Sequence, residues 1–127
     1  MKKCAIHIAA ILACILTCGY KGFASTQINL QHLRCEMLEN PQGIDALRPR
    51  LSWQIVGNGR HIVQTAYRVI VASTPEKLKK DEGDLWDSHK IASSASIMVA
   101  YAGKTLVSRT SCFWKVRVWT NKGQSQW

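Results

Sequence analysis

Between positions 111 and 120 apolar and polar residues alternate: Trp114, Val116 and Val118 fall on one side of an extended backbone, Lys115 and Arg117 on the other. A period of two is that of a half-buried β-strand. Phe113 and Trp119 share the side of the two cations and make it partly aromatic. Asn121-Lys122-Gly123 is turn chemistry that sends the chain back antiparallel. Gln124-Ser125-Gln126-Trp127 supplies only the start of a return, so the last strand is expected to be incomplete within these residues.

The same patterning marks the elements before it. Residues 28–37 form a first strand in which Ile28 and Leu30 share one face, whereas Leu33, Cys35 and Met37 share the other. A change of phase inside one strand predicts a bulge near Gln31 and His32. Pro41 and Pro49 exclude interior helix and central strand, so residues 40–50 read as a loop. Leu51, Trp53 and Ile55 alternate with Ser52 and Gln54 in a second strand, and Gly57-Asn58-Gly59 reads as the hairpin turn that closes it. A third strand covers 65–73, with Tyr67, Val69 and Val71 on one face and Ala66, Arg68 and Ile70 on the other. Thr74 before Pro75 caps one or two helical turns, ended by residues 81–84. Residues 85–88 predict a short strand or turn, and 96–101 a further strand. Strand following strand with almost no helix, over about 100 residues, is the pattern of an all-β, immunoglobulin-like or fibronectin type III-like β-sandwich.

The first 24 residues follow another rule. Met1-Lys2-Lys3 precedes an apolar run from Cys4 to Cys18 broken only by His7 and Thr17, which has the basic start and apolar middle of a secretory signal. The run is too short to span a membrane comfortably. Gly22-Phe23-Ala24 offers small residues where a signal peptidase reads, so the mature chain is expected to start at Ser25. Export to the periplasm or the exterior follows. The rival reading is a lipid anchor on Cys14 or Cys18, because the four residues ending at each resemble a lipobox.

Removing the signal leaves residues 25–127, enough for one domain with a modest core. It also removes three of the 17 Lys and Arg and none of the 8 Asp and Glu, so the net charge falls from +9 to +6. The remaining bases are scattered, with only Lys77, Lys79 and Lys80 close together, which argues against a nucleic-acid partner. Of five cysteines, Cys35 and Cys112 remain; they permit one bridge or two buried thiols.

Candidate chemistry is sparse. Glycoside hydrolysis needs two carboxylates facing each other across a sugar. Asp84 and Asp87, three apart on an extended segment, point to opposite faces and are explained by turn formation. His32, His61 and His89 stand alone, without zinc-ligand spacing. Cys112 beside Phe113 and Trp114 reads as a packed thiol rather than a nucleophile, and Gly57-Asn58-Gly59 is no phosphate cradle. No catalytic residue, cofactor or metal is therefore assigned. Five tryptophans invite a sugar-binding reading, since indole faces stack on pyranose rings. Trp53 and Trp114 are in phase with the apolar face and belong to the core. Trp86, Phe113 and Trp119 are the candidate interface or sugar contacts, with Trp119 foremost, and Trp86 and Trp127 are undecided between core and surface.

Several segments in order carry a family likeness: Leu30 to Leu33, Asn40-Pro-Gln-Gly-Ile-Asp45, Arg48-Pro-Arg-Leu-Ser-Trp53, Gln64-Thr-Ala-Tyr-Arg-Val69, Val71-Ala-Ser73, Gly83-Asp-Leu-Trp-Asp-Ser88 and Trp114-Lys-Val-Arg-Val-Trp119. Together they resemble the N-terminal immunoglobulin-like module of large bacterial α-L-rhamnosidases. The resemblance implies a non-catalytic accessory sandwich, followed in such enzymes by further β-sandwiches and an (α/α)6 barrel that carries the inverting acid and base. Those carboxylates map onto no residue here. The implied partners are neighbouring domains of one polypeptide, with a rhamnose-containing glycan as a further candidate. The alternative is a stand-alone carbohydrate-binding or adhesin-like module using Trp86 and Trp119. One departure concerns the corner before the last long strand, where such sandwiches place a tyrosine hydroxyl. Phe113 and Trp114 stand there, so packing or the indole nitrogen is expected to hold it.

Overall fold

The computed structural model describes residues 25–127; the expected signal, residues 1–24, lies outside the described residues. Eight strands and one short helix follow in the order β1 (Ile28–Cys35), β2 (Arg50–Gly57), β3 (Gln64–Ala72), α1 (Pro75–Lys79), β4 (Trp86–Asp87), β5 (Ile91–Ala92), β6 (Val99–Ala100), β7 (Phe113–Thr120) and β8 (Gly123–Gln124). They build two antiparallel sheets. The first runs β1-β2-β6, and the second β4-β3-β7-β8 with β5 also pairing to β3. This is the expected sandwich.

The bulge in β1 lies where the phase change put it. Gln31 pairs with Gln54 and Arg34 with Ser52, so three steps on β1 match two on β2, and His32 takes φ 49°. The extra residue returns Leu33 and Cys35 to the side of Ile28 and Leu30, and all four meet the same core. Trp53, Tyr67, Val69, Val116, Val118 and Tyr101 fill that core between the sheets. Trp53 and Tyr67 meet edge to face with centroids 5.3 Å apart.

Gln64 satisfies the polar atoms buried with them. Its Oε1 accepts from Trp53 Nε1 at 3.0 Å, and its Nε2 donates to the carbonyls of Ser93 and Ala95 at 3.0 and 2.7 Å. One side chain therefore ties β2, β3 and the loop after β5.

The reading of Gly57-Asn58-Gly59 as a hairpin turn is overturned. β2 and β3 belong to different sheets, and the chain crosses between layers after Gly57. Asn58 Oδ1 accepts from Gln27 N, which holds the glycine segment to the entry of β1 rather than to β3. Farther along, Val63 N donates to Asn121 Oδ1 at 2.9 Å, Asn121 Nδ2 donates to His61 O, and Asn121 N donates to Val63 O. The crossover is thus pinned at the β7-β8 turn. A glycine pair permits such a bend as readily as a hairpin, and sequence alone does not separate them.

Other boundaries shift less. The strand expected over 96–101 shrinks to Val99–Ala100, because Met98 has φ 57° and its N–H donates to Ser52 Oγ instead of a ladder carbonyl. β5 was not foreseen. Thr74 caps α1 as expected, its Oγ1 accepting from Lys77 N. A tyrosine hydroxyl fastens a different corner: buried Tyr101, just after β6, donates to Lys104 O at 2.7 Å and Leu85 O at 3.2 Å. It fastens the turn after β6 to the segment leading into β4.

Candidate functional site

Asp84 and Asp87 sit on either side of the entry to β4, and each is fully occupied by the fold. Asp84 accepts from Lys77 Nζ at 2.8 Å, from Ser73 Oγ at 2.6 Å and from Ser73 N at 2.9 Å. The Lys77 ammonium and then the Ser73 donors hold its carboxyl far below the usual carboxylate range. Asp87 takes a two-pronged contact from Arg68 at 3.0 and 2.7 Å and a bond from His89 N, and Arg68 lowers its pKa as well. A general acid needs the opposite shift. These carboxylates are ionised clamps for the helix and for β3.

The candidate aromatics divide between two faces of the second sheet. Trp86 pairs with Val71, an inward residue of β3, and lies half-buried edge to face with Tyr101 at 5.3 Å. Phe113 and Trp119 pair with Ala72 and Ala66 on the outward side. Phe113 keeps 37% of its surface exposed. Trp119 is half-buried, with Lys90 Nζ 4.5 Å from its ring centroid. The structure therefore brings Phe113 and Trp119 onto one face, about 20 Å apart by strand rise, and sets Trp86 against the core.

Between those two aromatics lies a cluster that the sequence did not announce. Arg68 and Arg117 are directly opposed across the β3-β7 ladder, a costly placement for like charges. Asp87 neutralises Arg68, Lys115 pairs with Asp81, and the Trp127 ring lies against all three cations: Arg117 at 4.3 Å, Lys115 at 4.5 Å and Arg68 at 5.7 Å. Among the described residues, Arg117 Nε is the one buried side-chain nitrogen or oxygen without a hydrogen-bond partner. Shared outward phase of Lys115 and Arg117 was visible in the sequence; their meeting with Arg68 and Trp127 needed the register.

At one end of the sandwich a cleft of about 360 Å³ opens between the loop after β1 and the loop before β7. Cys35 and Cys112 both line it as free thiols, and burial pushes both up. No three His, Cys, Asp or Glu side chains gather to hold a metal among the described residues.

The comparisons with known proteins fit this architecture. A family profile described as "Rha78A-like, N-terminal immunoglobulin domain" matches residues 30–127. The chain belongs to that family. This Rha78A-like domain is 44% identical over 93 residues to an α-L-rhamnosidase of Streptomyces avermitilis, covering 72% of the chain and 9% of the relative. An α-L-rhamnosidase of Formosa agariphila is 35% identical over 112 residues, 87% of the chain and 12% of the relative. Among solved structures, the Streptomyces avermitilis α-L-rhamnosidase complexed with L-rhamnose superposes with TM-score 0.74 at 40% identity, over 79% of this chain and 10% of that one. The α-L-rhamnosidase from Dictyoglumus thermophilum gives 0.73 at 38%, over 76% and 11%. The Rha78A-like domain thus spans about a tenth of the length of the relatives it matches.

Proposed function

We propose that this Rha78A-like domain is the non-catalytic N-terminal accessory sandwich of an exported α-L-rhamnosidase, a glycoside hydrolase acting on terminal α-L-rhamnose. The observation that carries the reading is the match over residues 30–127 to a domain of enzymes about ten times its length. The engagement of Asp84 and Asp87 as clamps supports a scaffold role. In this reading residues 1–24 direct export, and neighbouring domains of the same polypeptide dock on the outward face of the second sheet around Phe113 and Trp119. The polypeptide by itself should not turn over an aryl α-L-rhamnoside. Release of aryl alcohol in proportion to added protein, retained through repurification, would overturn the assignment.

A second reading rests on the exposure of Phe113: a stand-alone carbohydrate-binding module that uses this face. Titration with rhamnose-containing oligosaccharides, followed by tryptophan fluorescence, separates the two. A docking face gives no saturable change, whereas a sugar platform gives one that Phe113→Ala or Trp119→Ala abolishes.

A further inference from the structure

Cys35 and Cys112 come from opposite sheets. Cys35 is the last residue of β1, and Cys112 immediately precedes β7. The β1 bulge is what turns Cys35 toward the interior, since strict alternation from Ile28 would have placed it outward. Both residues pack on the rim of the same core cluster, both line the same cleft, and both are only partly buried, so a small reagent can reach them. After Cys35 the chain turns through Glu36 and Met37 in the left-handed region, and residues 109–112 precede β7. The backbone at Cys112 can therefore adjust without unpairing a strand, while Cys35 is held opposite Leu51 at the end of the β1-β2 ladder.

We infer that Cys35 and Cys112 form a redox-responsive pair, whose oxidation to an intramolecular disulfide clamps the two sheets across the cleft. A bridge needs Cβ atoms about 3.5–4.5 Å apart, so forming it would draw the two positions together across the cleft that both line. The oxidant is a small-molecule disulfide. One cysteine thiolate attacks a sulfur of that molecule, forming a mixed disulfide and expelling one thiol. The second cysteine, deprotonated in turn, attacks the protein-side sulfur, forms the Sγ–Sγ bond and expels the second thiol. Two electrons pass from the cysteine pair to the reagent, and the two protons end on the released thiols. The bridge closes a loop of about 75 residues, a length at which restriction of the unfolded chain is large.

The test equilibrates the full chain in glutathione buffers from reducing to oxidising, blocks free thiols by alkylation, and maps tryptic peptides by mass spectrometry. The expected product is a link between peptides 35–50 and 110–115, lighter by two hydrogens, from monomeric protein. Cys4, Cys14 and Cys18 fall in a separate tryptic peptide, 4–21, so bridges to them are told apart. Oxidation should raise the melting temperature by about 10 °C, and dithiothreitol should reverse it. Cys35→Ser and Cys112→Ser should each leave a glutathione adduct on the remaining member of the pair and no rise. Alkylation of both cysteines in the most oxidising buffer, or adducts and intermolecular links alone in the wild-type chain, would overturn the inference. Because the wild-type peptide map decides it, poor folding of either variant does not spare it.

Discussion

Gln64 shows how much one side chain can hold. Its amide satisfies the Trp53 indole N–H and two loop carbonyls inside the sandwich. Gln64→Ala would leave a buried donor unpaired, at a cost of about 1–3 kcal/mol for that group alone. The urea midpoint should fall accordingly, with an unchanged slope; an unchanged midpoint would mean that water replaces the amide. At Asp84 and Asp87 the consequence is pH dependence. Their native pKa values lie below the ordinary 3.8, so the unfolded chain binds protons first as pH falls. The stability they contribute is complete above about pH 4 and is lost progressively below it, through the depressed native values. Urea midpoints measured from pH 6 to pH 2 should decline below pH 4, and Asp84→Asn with Asp87→Asn should flatten that decline. An equal slope in the double variant would assign acid sensitivity to other groups. Both carboxylates were visible in the sequence as turn formers, but their partners Lys77 and Arg68 were not, because nothing local sets the angle at which α1 and β4 meet β3.

At the scale of elements, regular patterning translated well and irregular backbone did not. β1, β3, β7 and α1 were legible because period, cap and proline agree. β5 and β6 have two residues each, too few for any period to register. The crossover after β2 was misread because its glycines specify a bend and not the layer to which the chain goes. β3 also hides a feature: Ala66, Ile70 and Ala72 on its outward face are as buried as Val69 on its inward one. Part of the covering comes from elsewhere in the chain, the Gly83 turn lying against Ile70. The bulge gives a direct test. Inserting an alanine after His32 would advance Leu33 and Cys35 by one position and turn both outward, removing an apolar side chain worth about 1.5–3 kcal/mol when fully buried. The insertion variant should melt well below the wild type, whereas a neutral insertion would show that the bulge absorbs a second residue without penalty.

For the molecule as a whole, the two sheets have unequal duties. The second carries α1, the carboxylate clamps and the outward row of Phe113, the Trp127-covered cations and Trp119. That row is the surface on which the accessory role turns. Of this the sequence displayed the aromatic pair, through its phase on β7; the cation layer stayed hidden because Arg68 and Arg117 are far apart in the chain and become neighbours only by register. Asn121 adds a consequence in time. It fastens His61 and Val63 to a turn some 60 positions later, so this hold on the crossover closes late along the chain. A polypeptide emerging from its N-terminus can form the β1-β2 pair early, but nearly the whole domain must be available before that crossover is secured. Non-local closure of this kind slows folding, and until it happens the apolar inner faces of β2 and β3 are open to other chains. The crossover at His61 and Val63 is therefore secured only once the β7-β8 turn that carries Asn121 has been made.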